Sequence, residues 1–176
     1  MIQFSALMWA AAIFFGMIGF LRGWNKELVA TAGMLLTTFA IFQFDSFLRG
    51  TVFLIMPRDQ VFLLEAAVFL IVVYLVYQAK DIGGAENRSR DNWQAGFLGA
   101  LAGGFNGYLI IGTLWYFMDI NEYPITQFVV APAPGSPSAQ SLWTIPLVLI
   151  GGGTSGTGDL LALLVIALLF FVLVIN

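Results

Sequence analysis

The stretch FSALMWAAAIFFGMIGFLRGWNKEL, residues 4–28, decides the fold. Residues 1–21 carry no charge at all. A helix needs roughly 20 apolar residues to cross a hydrocarbon core about 30 Å thick. Residues 4–21 meet that need, and the first basic residue, Arg22, follows directly. A secretory signal would begin with a basic segment and end at a small-residue cleavage site. This order is the reverse, so a retained membrane helix is expected. After Arg22 and Lys26 a second apolar run starts at Leu28. An apolar run, a short basic turn and another apolar run read as a helical hairpin through a bilayer.

The rest of the chain repeats this pattern. Residues 28–44, 60–79, 93–118 and 160–175 form four more apolar runs, which predicts an all-α, polytopic protein with about five spans. Each crossing must be a helix, because five strands cannot close a barrel and lipid satisfies no backbone groups. Composition agrees. The 176 residues are 60% hydrophobic and 10% charged, against about 25% charged in a soluble domain. Two shorter apolar pieces, 50–56 and 142–150, are read as interfacial or re-entrant. The organisation expected is a four-helix core at 1–118, a Pro/Gly-rich extracytoplasmic loop at 119–159 and a C-terminal helix at 160–176.

Seven basic residues set the orientation. Arg22, Lys26, Lys80, Arg88 and Arg90 fall on one side of the alternation, and Arg49 and Arg58 on the other. Basic residues concentrate on the cytoplasmic side. The N-terminus is therefore expected outside and the C-terminus inside the bacterial cytoplasmic membrane.

Several function classes are disfavoured. The chain has no His and no Cys, which removes imidazole and thiolate metal sites, Cys nucleophiles and Ser–His dyads. No metal, no cofactor and no catalytic residue is assigned, and an enzyme is not expected. A net charge of −3 without a basic stripe argues against nucleic-acid binding. The glycine tract GGGTSGTG at 151–158 lacks the lysine of a phosphate loop, and a linker or partner-contact loop is the reading.

Glycine spacing marks the packing faces. Gly96, Gly99, Gly103 and Gly107 lie within an arc of about 80° on a helix. Gly16, Gly19 and Gly23 do the same for the first span. Small residues let helices approach closely in lipid, so the first and fourth spans are expected to pair. Asn106, at the edge of the glycine arc and near mid-span, is read as an interhelical hydrogen-bonding residue ahead of a solute contact. Glu65 is read as the only acid inside a span, reaching the interface or paired with Arg58 or Arg49 ahead of a proton-relay role, since no second charge inside a core span offers a continuous proton path. Arg22 and Lys26 are expected to meet lipid phosphates. Glu27 complements the dipole of the helix it opens, with Thr31 and Thr38 continuing its face.

The turn at residues 19–28 resembles a signature of the bacterial colicin V production protein (CvpA) family. Gly19, Phe20, Arg22, Gly23, Glu27, Leu28 and Gly33 match it in order. A polar stretch at 87–92 running into Gly96, Gly99, Gly103, Gly104 and Gly107 is a second similarity. The resemblance covers residues 5–118 and implies an inner-membrane protein of envelope transport or adaptor type without an established catalytic activity. Arg22, Gly23 and Glu27 carry over only as motif positions. The rival reading is an accessory subunit of a large photosynthetic or respiratory membrane complex, docking through its glycine and aromatic faces. The partners expected are the lipid bilayer and either other membrane subunits or a second copy. Seventeen Phe, five Trp and five Tyr also offer contact to pigment, quinone or lipid.

Overall fold

Gly23 separates the first two helices. Its φ of 82° is a conformation that L side chains rarely adopt, and it ends α1 (Phe4–Arg22) and opens α2 (Trp24–Gly50) without an intervening loop. The computed structural model describes residues 3–78, 92–127 and 129–175. After α2 a short 3-10 turn, Phe53–Ile55, leads to α3 (Arg58–Gln78) and then α4 (Asn92–Ile120). Beyond α4 come α5 (Pro137–Gln140), α6 (Pro146–Gly151) and α7 (Asp159–Ile175). The described residues contain helices and no strand.

Helices α1 to α4 are each long and apolar enough to cross a membrane. Their outward faces carry large apolar side chains, among them Ile13, Leu21, Ile71 and Leu101, exposed as lipid-facing residues would be. Helix α7 is apolar but has 17 residues, about 25 Å of helix against a core of about 30 Å.

The second span differs most from its expected limits. It runs from Trp24 to Gly50 rather than over residues 28–44. Glu27, Asp45 and Arg49 thus lie inside the helix, and Glu65 is not the only acid in a span. One-dimensional hydropathy trims a helix at its charges, whereas here Glu27 and Arg49 find partners on neighbouring helices and Asp45 pairs with Arg49 one turn along α2. The connection at 79–91, with Lys80, Arg88, Arg90 and residues 87–91 of the second similarity, lies outside the described residues.

Helices α1 and α4 run antiparallel in backbone contact. A Cβ on Gly19 would overlap the Gly99 carbonyl and stand 2.9 Å from the Gly103 Cα. A Cβ on Gly103 would overlap the Phe15 carbonyl, and one on Gly107 the Ala11 carbonyl. Gly16 faces the Ala100 carbonyl at 3.3 Å, and Gly96 faces the Phe20 ring at 3.0 Å. Only backbones this bare can pack so closely. Gly23 is different, since nothing would meet its Cβ. Its glycine serves the turn, not a packing face.

The segment after α4 folds back into the bundle. Pro146 packs on Gly112, eight residues and so about 12 Å inward from the end of α4. Ile145 and Leu147 are buried, and the Tyr108 hydroxyl donates to the Thr144 carbonyl. Proline at the start of α6 and a left-handed Gly152 at its end set the limits of this short helix. The glycine tract then turns against Phe42 of α2, and its backbone bonds within itself, Gly158 N–H to the Gly151 carbonyl at 3.2 Å. Non-helical backbone at membrane depth is tolerated where it is covered by protein in this way.

Candidate functional site: two buried ion-pair clusters

Two polar clusters lie inside the apolar bundle, one toward each end. The first is assembled around Glu27, which has no exposed surface. Gly23 places Arg22, the last residue of α1, beside the first turn of α2. The Arg22 guanidinium meets Glu27 Oε1 at 2.5 Å and donates to the Tyr77 carbonyl at 3.0 Å. It also stacks 4.3 Å above the Tyr77 ring, a cation–π contact. The other carboxylate oxygen, Oε2, accepts from the Tyr77 hydroxyl at 3.2 Å and from Asn106 Nδ2 at 2.8 Å. Asn106 Nδ2 donates as well to the Glu27 carbonyl at 3.1 Å. The Thr31 hydroxyl donates to Asn106 Oδ1 at 2.6 Å, with its own helix carbonyl at residue 27 as the alternative acceptor at 2.8 Å.

Residues from four helices therefore converge on one carboxylate. Arg22 points inward to Glu27 instead of outward to lipid phosphates, because the buried negative charge offers it a closer partner. Lys26 is partly buried in the same turn of α2. Trp24 stacks edge-on against Phe171 of α7, which closes the outside of this end.

The second cluster is assembled around Arg49. Its Nε donates to Asp45 at 2.8 and 3.0 Å, its Nη1 to Asn121 Oδ1 at 3.1 Å, and its Nη2 to Glu65 Oε1 at 3.1 Å. Asn121 Nδ2 completes the ring by donating to Glu65 Oε2 at 2.8 Å. Glu65 is 4% exposed. Its partner is Arg49, since Arg58 pairs with Glu122 at the surface. This cluster joins α2, α3 and the end of α4, and it holds two carboxylates for one guanidinium.

The clusters are separated along the bundle by the interval from Glu65 to Tyr77 on α3, or from Asn106 to Asn121 on α4. Twelve and fifteen residues amount to about 18 and 22 Å. Both carboxylates thus fit within a hydrocarbon thickness of about 30 Å. Between them the α2 face carries the buried threonines Thr31 and Thr38, and α4 carries Thr113, buried as well. Among the described residues no group of three His, Cys, Asp or Glu could hold a metal ion.

Beyond Asn121 the chain makes a tight turn in which Glu122 and Tyr123 both take positive φ, 58° and 52°. The turn buries Tyr123, whose hydroxyl accepts from the Trp115 indole at 3.0 Å. Burial pushes the Tyr123 phenol up from its ordinary value, only partly offset by the Trp115 hydrogen bond.

Asn106, Arg22, Glu27 and Glu65 are drawn into the two clusters, while Gly16, Gly19, Gly96, Gly99, Gly103 and Gly107 line the α1–α4 contact. Sequence reasoning missed Asp45, Tyr77, Thr113 and Asn121, and offered Arg49 only as one of two partners for Glu65. The spacing of Asp45 to Arg49, four apart as on one helix face, was the available sign that α2 continues through them. The chain matches no protein family, no curated protein and no solved structure.

Proposed function

We propose that this chain is a non-enzymatic integral membrane protein of the CvpA-like type, acting in envelope transport by letting ions or small charged solutes cross a bacterial inner membrane. The observation that carries this reading is the Glu27 carboxylate, wholly buried at the convergence of four helices. Buried ion pairs are poor stabilising devices, because desolvation offsets their attraction and apolar replacements of equal volume do as well or better. A bundle that only filled a gap or held a partner would have no use for two such centres. Ionisable groups inside membrane helices mark solute, ion or proton pathways by default. The similarity to the CvpA signature points the same way, since its motif positions Arg22 and Glu27 are the two that pair. The distribution of basic residues supports an N-terminus outside and a C-terminus inside, with α7 as a short fifth crossing.

The test is electrometry on proteoliposomes under separate gradients of protons, sodium, potassium and chloride. Charge movement that falls in Glu27→Gln supports the reading, and electrical silence in all four gradients contradicts it. One observation favours the accessory-subunit reading. Leu163, Ile166, Phe170 and Leu173 of α7 are exposed, a face that another subunit could cover. Gentle solubilisation followed by size analysis and mass spectrometry separates the two, with stoichiometric cofactor-bearing subunits favouring the rival.

A further inference from the structure

Glu27, Thr31, Thr38, Asp45 and Arg49 lie within an arc of about 40° on α2. They form one polar stripe from end to end of a helix long enough to cross a membrane. Helix α4 runs parallel to α2 and meets this stripe at both ends, through Asn106 at Glu27 and through Asn121 at Arg49. Between these two asparagines, seven residues after the first and eight before the second, stands Thr113. Its Oγ1 is buried and has no hydrogen-bond partner. A buried orphan hydroxyl is uncommon, and a passing water or proton carrier would satisfy it.

The cluster at the Arg49 end adds a second sign. Glu65 faces Arg49 and Asp45 on α2, Tyr116 on α4 and Asn121 just after it, and among the described residues no further cation is seen against it. Arg58 is engaged with Glu122. Asp45, its side chain 28% exposed, and Glu65, its side chain 3% exposed, share the Arg49 guanidinium, so with both ionised the cluster carries one surplus negative charge. At the other end Glu27 is matched one-to-one by Arg22. A surplus negative charge in an apolar setting attracts a cation, and the smallest that fits without opening the ring of hydrogen bonds is a proton.

We propose that the seam between α2 and α4 is a proton pathway, entered at the Asp45–Arg49–Glu65 cluster and left at Glu27. A proton is taken up on a carboxylate oxygen of Glu65 or Asp45. It passes along the seam through Thr113 and Thr38, each hydroxyl accepting one proton on its oxygen and releasing its own. From Thr31 it reaches the Glu27 carboxylate through a bridging water, while the Asn106 amide holds that carboxylate in place, and it leaves to water at the α1–α2 turn. The hydroxyls on α2 are spaced about 10 Å apart, so water entering the seam bridges the intervals. The proposal rests on the ion-passage reading above and names its ion.

The test uses the purified full chain in phosphatidylethanolamine–phosphatidylglycerol vesicles containing a pH-sensitive dye, with a potassium diffusion potential set by valinomycin. Wild-type vesicles should move protons at least 10-fold faster than protein-free ones. Glu65→Gln and Thr113→Val should each lower that rate at least 10-fold, while Gln140→Ala, at an exposed residue outside the seam, leaves it unchanged. Thr113→Val removes an unpaired hydroxyl and should not lower the melting temperature, so its loss of flux reports the pathway and not the fold. A full proton rate in Glu65→Gln or in Thr113→Val overturns the proposal. Parallel sodium, potassium and chloride assays separate the two readings. Wild-type flux of one of these without proton flux defeats the proton assignment alone, and silence to all four ions defeats ion passage as well.

Discussion

Replacing Arg22 by Met should destabilise the bundle far more than removing the whole ion pair. In the native protein Glu27 has no exposed surface and holds Arg22 at 2.5 Å. Without the guanidinium the carboxylate keeps only the Tyr77 hydroxyl and the Asn106 amide as donors. Losing one partner of a buried pair costs about 3–5 kcal/mol. The double variant Arg22→Met with Glu27→Leu leaves no buried charge. Asn106 would still donate to the residue-27 carbonyl, which is backbone. The Tyr77 hydroxyl and one Asn106 N–H then lack the Glu27 acceptor, at about 1–3 kcal/mol each, and the Tyr77 carbonyl lacks Arg22 as it does in the single variant. Apolar replacement of a buried pair is itself often neutral or stabilising by about 1–4 kcal/mol. The double variant should therefore lie above the single Arg22→Met, which also loses the donor to the Tyr77 carbonyl and in addition keeps a bare buried charge. Equilibrium unfolding in mixed detergent micelles, followed by circular dichroism, measures all three proteins. A single variant within about 1 kcal/mol of wild type, or a double variant less stable than the single, would refute the pairing argument.

Gly19→Ala places a methyl group on the Gly99 carbonyl, so it should cost about 1–3 kcal/mol by overpacking. Gly50→Ala meets nothing within 4 Å and should stay within about 0.5 kcal/mol in the same unfolding assay. The Tyr123 phenol has its folded-state value raised by burial, so its contribution is fully present below the unfolded value of about 10 and is lost as pH rises toward the folded one. A titration of melting temperature should show a decline above about pH 10 that is shallower in Tyr123→Phe.

Helices α1, α3 and α4 were legible in the sequence to within two residues at each end, because α1 and α4 carry charge only in their last turns and the interior of α3 holds a single acid, Glu65. The α1–α4 contact was legible too, since glycines three and four apart can only share one helix face. Helix α2 was not. Its first and last turns hold Glu27, Asp45 and Arg49, and these become compatible with an apolar setting only when Arg22, Tyr77, Glu65, Asn106 and Asn121 arrive from other helices. Apart from Arg22–Glu27 and Arg49–Glu65, 5 and 16 positions apart, these pairs join residues 50 to 79 positions apart, which leaves no local pattern to read. The inward fold of the segment carrying Pro146 was visible as an apolar piece too short to cross. Its place against Gly112 was not, because it depends on a notch that only the assembled bundle presents.

The most direct measurement concerns α2, which carries one polar cluster near each of its ends. The chain has no cysteine, so single-cysteine variants are clean probes. Asn25 and Thr51 are exposed just beyond the two clusters. A membrane-impermeant maleimide applied to intact spheroplasts should label Thr51→Cys and should reach Asn25→Cys only after the membrane is opened. Labelling of both positions from the same side would mean that α2 does not cross, and the seam from Glu65 to Glu27 would then lead nowhere.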